Sequence, residues 1–253
     1  MTDSWDIAEK WYNRIVGEKG HDYHQSVVLP NAIRMLKLPK SGSLLDLGCG
    51  QGVLSRALPE SIEYCGIDLS KKLIQDANLR SKRKTSSFYV GDATAQKLPI
   101  EKDDFDRVAC ILSLQNMENG ERAIQTAARH LKNTGELLLV LNHPCFRIPR
   151  QSDWGIDEKA KLQFRKVNCY LTSLKIPLQV HPGKGEKSAV FYSYHNPLSV
   201  YMQWLANQGF AITAMEEWVS HKNSTGLKSR IENRARREIP LFLAIKSALF
   251  KNL

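Results

Sequence analysis

No stretch of about 18 consecutive apolar residues occurs in the chain, so nothing in it reads as a membrane-spanning helix. No CxxC pair occurs either, and the cysteines are odd in number: Cys49, Cys65, Cys110, Cys145 and Cys169. A disulfide framework and a zinc knuckle are therefore not expected, and a reducing cytoplasm is the natural setting. Zinc-ligand spacing, a GxSxG elbow and a P-loop lysine are all missing, which removes the commonest metal-hydrolase, serine-hydrolase and nucleotide-hydrolase readings. The N-terminus carries Asp3 and Asp6 where a secretory leader would have a basic and then an apolar run, so no leader is expected. Internal repeats and low-complexity stretches are lacking as well.

What remains is an ordinary globular composition, 42% apolar and 25% charged over 253 residues, enough for one large domain or one domain with an inserted cap. The net charge of +10 is partly concentrated in two runs, Arg80–Lys84 and Lys228–Arg237. Such runs serve an anionic partner such as RNA, or more commonly form solvated helix and loop faces.

The hydrophobic pattern sets the architecture. Residues 4–17 have the stripe of an amphipathic helix behind Ser4, and a second helical stretch covers about 24–38, with Pro30 marking a late start or a kink. From Ser43 on, short apolar runs alternate with helical stretches. Strands are expected at 43–47, 63–67, 87–90, 107–112 and 136–141, with helices at 70–79 and 121–131 between them. The run Arg107–Leu112 is nearly all apolar, as a strand covered on both faces should be. This alternation implies a parallel sheet with helices on both faces. After Leu141 it stops for about 55 residues, a stretch rich in aromatics and proline. Within it, 171–180 and 189–194 flank His181-Pro182-Gly183 as a hairpin would. A helix at 198–207 and strands at 211–219 and 241–248 close the chain.

The chemistry is concentrated at strand ends. Leu44-Leu45-Asp46-Leu47-Gly48-Cys49-Gly50-Gln51-Gly52 ends a strand, turns on glycines and begins a helix. Glycines there let the backbone approach a ligand closely. Val53 stands where the third glycine of GxGxxG would be, so the dinucleotide fingerprint fails. Asp68 ends the second strand, where a carboxylate can accept both hydroxyls of a ribose, or merely cap the following helix. Asp92 follows the third strand, where it can accept from an exocyclic amine such as that of adenine, or merely make a turn. Three successive strand ends lining one edge favour a nucleoside ligand.

Taken together, LLDLGCGQG, GIDLS, VGDA, FDRVACILSLQNM and LKNTGELLLVLNHP resemble the class I S-adenosylmethionine-dependent methyltransferases, most closely the small-molecule group called type 11. The resemblance covers about residues 40–143 strongly, and FYSYHNPLSVYMQWLANQGF and REIPLFLAIKS are similar to the closing part of that fold. It implies a Rossmann-like, doubly wound α/β sheet of seven strands, mostly parallel with an antiparallel last strand. It implies S-adenosylmethionine as cofactor and S-adenosylhomocysteine as product. Asp46, Gly48 and Gly50 would then surround the methionine part, Asp68 and Leu69 the ribose, and Asp92 and Ala93 the adenine. Leu114 and Gln115 would lie near the methionyl amine, and Tyr12 on a helix folded over the cofactor would reach its carboxylate. The expected organisation is a helical lid at 1–39, the cofactor domain at 40–143 and 196–253, and an inserted substrate cap at 144–195.

Methyl transfer needs alignment of acceptor and methyl, and a base only when the acceptor has a proton to lose. His143, at the end of the fifth strand, and His195, after an aromatic run, are the candidate bases. Arg147 and Arg150 can hold an anionic group on the acceptor, and Trp154 and Tyr194 can wall it. The expected acceptor is a small molecule, methylated on oxygen or nitrogen. An RNA methyltransferase using the basic runs is the second reading, but Gln115-Asn116-Met117-Glu118 stands where amino-methylating nucleic-acid enzymes of this class carry Asn/Asp-Pro-Pro-aromatic. A non-catalytic interaction protein is the third.

Overall fold

The computed structural model describes residues 21–179 and 190–250. The expected helix at 4–17, with Tyr12, and the turn at His181–Gly183 lie outside them.

The core is one sheet of seven strands in the order β10-β11-β5-β4-β1-β2-β3. Its central strand β1 (Gly42–Leu47) pairs in parallel with β2 (Ile62–Asp68) on one side and β4 (Phe105–Ile111) on the other. Beyond them lie β3 (Ser86–Val90) and β5 (Leu131–Asn142), also parallel. The last strand, β11 (Phe242–Leu249), runs antiparallel between β5 and β10 (Phe210–Trp218), pairing Phe242 with Asn142 and Ala248 with Glu136. Six strands thus share one direction and β11 opposes them, as the resemblance implies. The chain leaves β1 toward β2 and β3, then crosses back to β4. The order therefore reverses between β1 and β4, and the carboxyl ends of those two strands are where an open α/β sheet forms its ligand crevice.

Alternate side chains of these strands feed two cores. Leu44, Ile62, Leu138, Val140 and Ala244 face helix α1 (Leu29–Leu36), while Leu45, Leu137, Leu139 and Ile245 face α4 (Gly120–His130) and α5 (Leu198–Asn207). Each such side chain removed from water contributes about 1.5–3 kcal/mol. Two helices lie earlier in the chain, the single turn α2 (Val53–Arg56) and α3 (Lys71–Arg80), the latter capped by Ser70 Oγ accepting the Leu73 N–H at 3.2 Å. Helix α1 is entered through a π-turn, His24–Val28, and Pro30 falls in its first turn, where the missing N–H leaves no hydrogen bond unmade. Residues 29–36 are a structural layer of the core; only the entry turn reaches the ligand edge.

Between β5 and α5 the chain forms two separate hairpins. Strand β8 (Leu174–Gln179) pairs antiparallel with β9 (Val190–His195), in the place expected for a hairpin. The other pair, β6 (Ser152–Asp157) with β7 (Leu162–Val167), was not read from the sequence, because both of its faces mix apolar with charged residues. The second basic run forms α6 (Ser229–Glu238), which buries only Ala235 and is tied to the hairpin by Lys228–Glu158 at 2.7 Å. No helix among the described residues is long and apolar enough to cross a membrane.

Candidate cofactor and acceptor site

Strand β1 delivers Gly48 into a turn with φ of +75°, followed by Gly50 at +55°. The turn is pinned to the neighbouring strand, because the N–H groups of Gly48 and Cys49 both donate to the Ile67 carbonyl, at 2.8 and 3.0 Å. It is also closely covered. A Cβ on Gly48 would fall 2.4 Å from Ser113 Cβ, and the Ser113 hydroxyl donates to the Leu47 carbonyl at 2.7 Å. Glycine is required here both for conformation and for space.

Asp68 closes β2 beside this turn. Its Oδ2 accepts the Gly50 N–H at 2.8 Å and its Oδ1 accepts the Ser70 N–H at 2.9 Å. Two backbone donors fix the plane of the carboxylate at the carboxyl end of β2. Asp92 uses a single oxygen locally: Oδ1 accepts from the Thr94 N–H at 2.8 Å and from its hydroxyl at 2.7 Å.

These groups border a cavity of about 530 Å³ at the carboxyl edge of β1 and β4. Gly48, Gly50, Asp68, Leu69, Asp92 and Ala93 line one part of it. Ser113, Asn116, Glu118, Tyr192, Tyr194 and His24 line the rest. A nucleoside ligand has what it requires here: room, a backbone turn bare of side chains, and two carboxylates.

Other candidates lie elsewhere. Asp46 is buried under the turn and bordered by Tyr64, whose hydroxyl donates to Oδ2 at 2.6 Å. Leu114 is packed in the core at the start of a short 3-10 turn. Gln115 borders a separate alcove of about 20 Å³, shared with Arg147, His195 and Tyr194. Trp154 sits on the β6–β7 hairpin beneath the Arg165 guanidinium, and Arg150 is exposed with φ of +59°.

The two candidate bases differ. His143 is buried and borders neither the cavity nor the alcove. Its Nδ1 accepts the Cys145 N–H at 3.2 Å, so Nε2 carries the proton and donates to Glu217 Oε1 at 2.7 Å. Both nitrogens are occupied, and the ring serves to join the end of β5 to β10. Burial pushes its pKa down, with Glu217 opposing. His195 donates from Nε2 to the Tyr170 carbonyl at 2.8 Å, which leaves Nδ1 as the basic atom, and its ring borders the alcove. Burial lowers its pKa as well.

His24 was not singled out from the sequence. It lines the cavity, and its buried Nδ1 has no hydrogen-bond partner among the described residues. Burial, with repulsion from His21, pushes its pKa down to about 4, so the ring is neutral at physiological pH. Nothing local marks it, since the sequence shows only a histidine entering a helix; the fold carries it over the edge of the sheet.

The comparison that bears on the family is with known domains. The model of the methyltransferase-domain family matches residues 45–139, from β1 through most of β5. The matched segment is thus similar to methyltransferase domains over the part of the chain that holds the glycine turn and the two acidic strand ends. Among curated relatives, the uncharacterized methyltransferase YcgJ of Bacillus subtilis is 29% identical over 99 residues, 38% of this chain and 39% of that protein. The ubiquinone biosynthesis O-methyltransferase of Coxiella burnetii is 27% identical over 133 residues, 52% of this chain and 56% of that protein. These alignments thus span about half or less of the relatives' length. Among solved structures, an S-adenosylmethionine-dependent methyltransferase from Mesorhizobium loti has the same fold, with a TM-score of 0.66 at 23% identity over 88% of this chain and 98% of that one.

One prediction concerns the floor of the site. Burial raises the pKa of Asp46 to about 7; the Tyr64 hydrogen bond opposes the rise and the charge of Asp68 adds to it. The folded protein therefore holds a proton that the unfolded chain releases near pH 4. Stability from this group is complete below that pH and is lost as pH rises to about 7. Asp46→Asn should accordingly raise the thermal midpoint relative to wild type at pH 8, with the difference shrinking toward pH 4. A difference that is constant across this range would contradict the assignment.

Proposed function

We propose that this chain transfers the methyl group of S-adenosylmethionine to an oxygen or nitrogen of a small-molecule acceptor and releases S-adenosylhomocysteine. The observation that carries the reading is a single cavity with two kinds of wall. On one side Asp68 would accept the ribose hydroxyls, Leu69 and Ala93 would flank the adenine, Asp92 would accept from its amine, and the Gly48–Gly50 turn would pass beside the methionine part. On the other side Tyr192 and Tyr194 offer flat apolar surface, and Asn116 and His24 offer polar atoms.

When bound, the cofactor supplies an electrophilic methyl group; the remaining work falls to the chain. The tyrosines and the β8–β9 hairpin hold the acceptor and exclude water, in keeping with residues 144–195 as the segment that selects it. Of the lid expected at 1–39, residues 29–36 belong to the core, so closing over the cofactor would fall to the part before them, which carries Tyr12. Neutral His24, with an unpartnered ring nitrogen, can orient an acceptor O–H or N–H. Asp46 lies too deep to touch either ligand and would act through the turn above it.

A hydroxyl acceptor finds support in the likeness to the ubiquinone O-methyltransferase. Neither basic run borders the cavity, and Arg83 of the first donates internally to the Ser55 carbonyl at 2.9 Å. This favours a small acceptor over RNA. The five cysteines are all free, which suits a cytoplasmic location. The test uses cofactor labelled in the methyl group, incubated with the protein and either a small-molecule extract or total RNA. Label should appear in the small-molecule fraction. Label in RNA alone, or in neither, would overturn the reading.

A further inference from the structure

Arg147 is half-buried, yet among the described residues it has no acid beside it. Its guanidinium lies over the Phe242 ring, 5.1 Å from Cζ to the ring centre, and its one hydrogen bond is a long one, from Nη1 to the Leu241 carbonyl at 3.4 Å. Five N–H donors are thus served by one distant acceptor. A second guanidinium, that of Arg165, is close enough to repel it. Arg165 reaches back to the same loop, donating from Nε to the Phe146 carbonyl at 2.7 Å and from Nη2 to Ser152 Oγ at 3.1 Å, while stacked on Trp154. Among the described residues it too makes no ion pair, and it senses Asp153 only at longer range. Two other shielded cations are treated differently. Arg107 and Lys246 both pair with Glu136, at 3.1 and 3.0 Å. A desolvated cation left beside another is costly unless an anion completes the arrangement.

Arg147 also borders the small alcove. Its other walls mix polar side chains, Gln115, Asn142, Ser193 and His195, with Pro144, Pro149 and Tyr201. The Gln115 side chain donates from Nε2 to the Leu112 carbonyl at 3.0 Å, which leaves Oε1 buried and without a partner. The volume, about 20 Å³, suits one group of a few atoms, not a ring. Tyr194 borders both the alcove and the large cavity, so a molecule lying against the tyrosine in the cavity has the alcove as its neighbour.

We propose that this alcove is an anion subsite of the acceptor pocket, in which Arg147 binds a carboxylate or phosphate group carried by the methyl acceptor. The inference rests on the small-acceptor reading above and narrows it: the acceptor is an acid whose ionised group lies past Tyr194, with a hydroxyl or amine available to the unpartnered Gln115 oxygen. Arg165 strengthens the local positive potential without touching the ligand. Of the two arginines expected to hold such a group, Arg147 is placed to do so and exposed Arg150 is not.

The experiment uses the full chain saturated with S-adenosylhomocysteine and a panel of small hydroxy- and amino-aromatic carboxylates and phosphomonoesters, each beside its neutral ester or amide. Binding is followed by calorimetry and ligand-observed NMR. Wild type should prefer the acids over their neutral partners by roughly ten- to a hundredfold, the scale of charge-assisted hydrogen bonds. Arg147→Met should erase that preference while keeping its thermal transition and its affinity for S-adenosylhomocysteine. Arg165→Met should weaken it by a smaller factor. Carboxylates and phosphates report separately which anion is preferred. Equal binding of acids and neutral partners, an Arg147→Met protein that keeps the preference, or no acid binding at all would each overturn the proposal. If S-adenosylhomocysteine itself fails to bind, the methyltransferase reading falls first.

Discussion

Asp68→Ala lowers the affinity for S-adenosylhomocysteine by on the order of a hundredfold or more in calorimetry, the largest loss expected from any single side chain at the site. Two carboxylate–hydroxyl hydrogen bonds are lost, each worth about 1.5–3 kcal/mol. The substitution has a second effect, because the N–H groups of Gly50 and Ser70 lose their shared acceptor and the turn above β1 loses one of its ties to β2. Asp68→Asn separates the two contributions. An amide keeps one oxygen for a backbone donor or a hydroxyl but turns an N–H toward the other partner, so its affinity should fall between alanine and wild type. An Asp68→Ala protein that binds within a factor of about two of wild type would place the nucleoside elsewhere.

Gly48→Ala acts through conformation and space together. At φ of +75° a Cβ is strained by about 1–2 kcal/mol, and 2.4 Å from Ser113 Cβ it forces the two segments apart at a further cost of about 1–3 kcal/mol. The expected result is a drop of about 2–5 kcal/mol in unfolding free energy by chemical denaturation, with loss of cofactor binding. Pairing it with Ser113→Gly removes the clash but not the backbone strain, so the double variant should recover part of the stability. No recovery relative to the Ser113→Gly variant alone, which already lacks the hydroxyl bonded to the Leu47 carbonyl, would mean that backbone strain accounts for the whole effect.

The sheet was legible because its central strands are covered on both faces. Runs such as Arg107–Leu112 are apolar after the opening arginine, and such runs separated by helical periods leave little choice of topology. The β6–β7 hairpin was not legible, since Trp154, Ile156 and Phe164 alternate with charges on a ribbon partly exposed on each side. One wall of the cavity was legible because its parts are local: a glycine turn and two acidic strand ends. The opposite wall was not, because His24, Asn116 and Tyr192 come from three distant segments that meet only across the edge of the sheet. His143 shows the same limit from the other side. Its position at the end of β5 was evident, but only the structure shows the ring turned toward Glu217 on β10 and both its nitrogens engaged.

The cavity above β1 and β4 is expected to bind S-adenosylmethionine through Asp68 and the Gly48 turn. Calorimetric titration of the wild-type protein with S-adenosylmethionine, S-adenosylhomocysteine and NAD tests it most directly. Micromolar-range binding of both sulfur ligands, with no heat from NAD, is the result predicted. NAD binding, or no binding of either sulfur ligand to the folded protein, would contradict it.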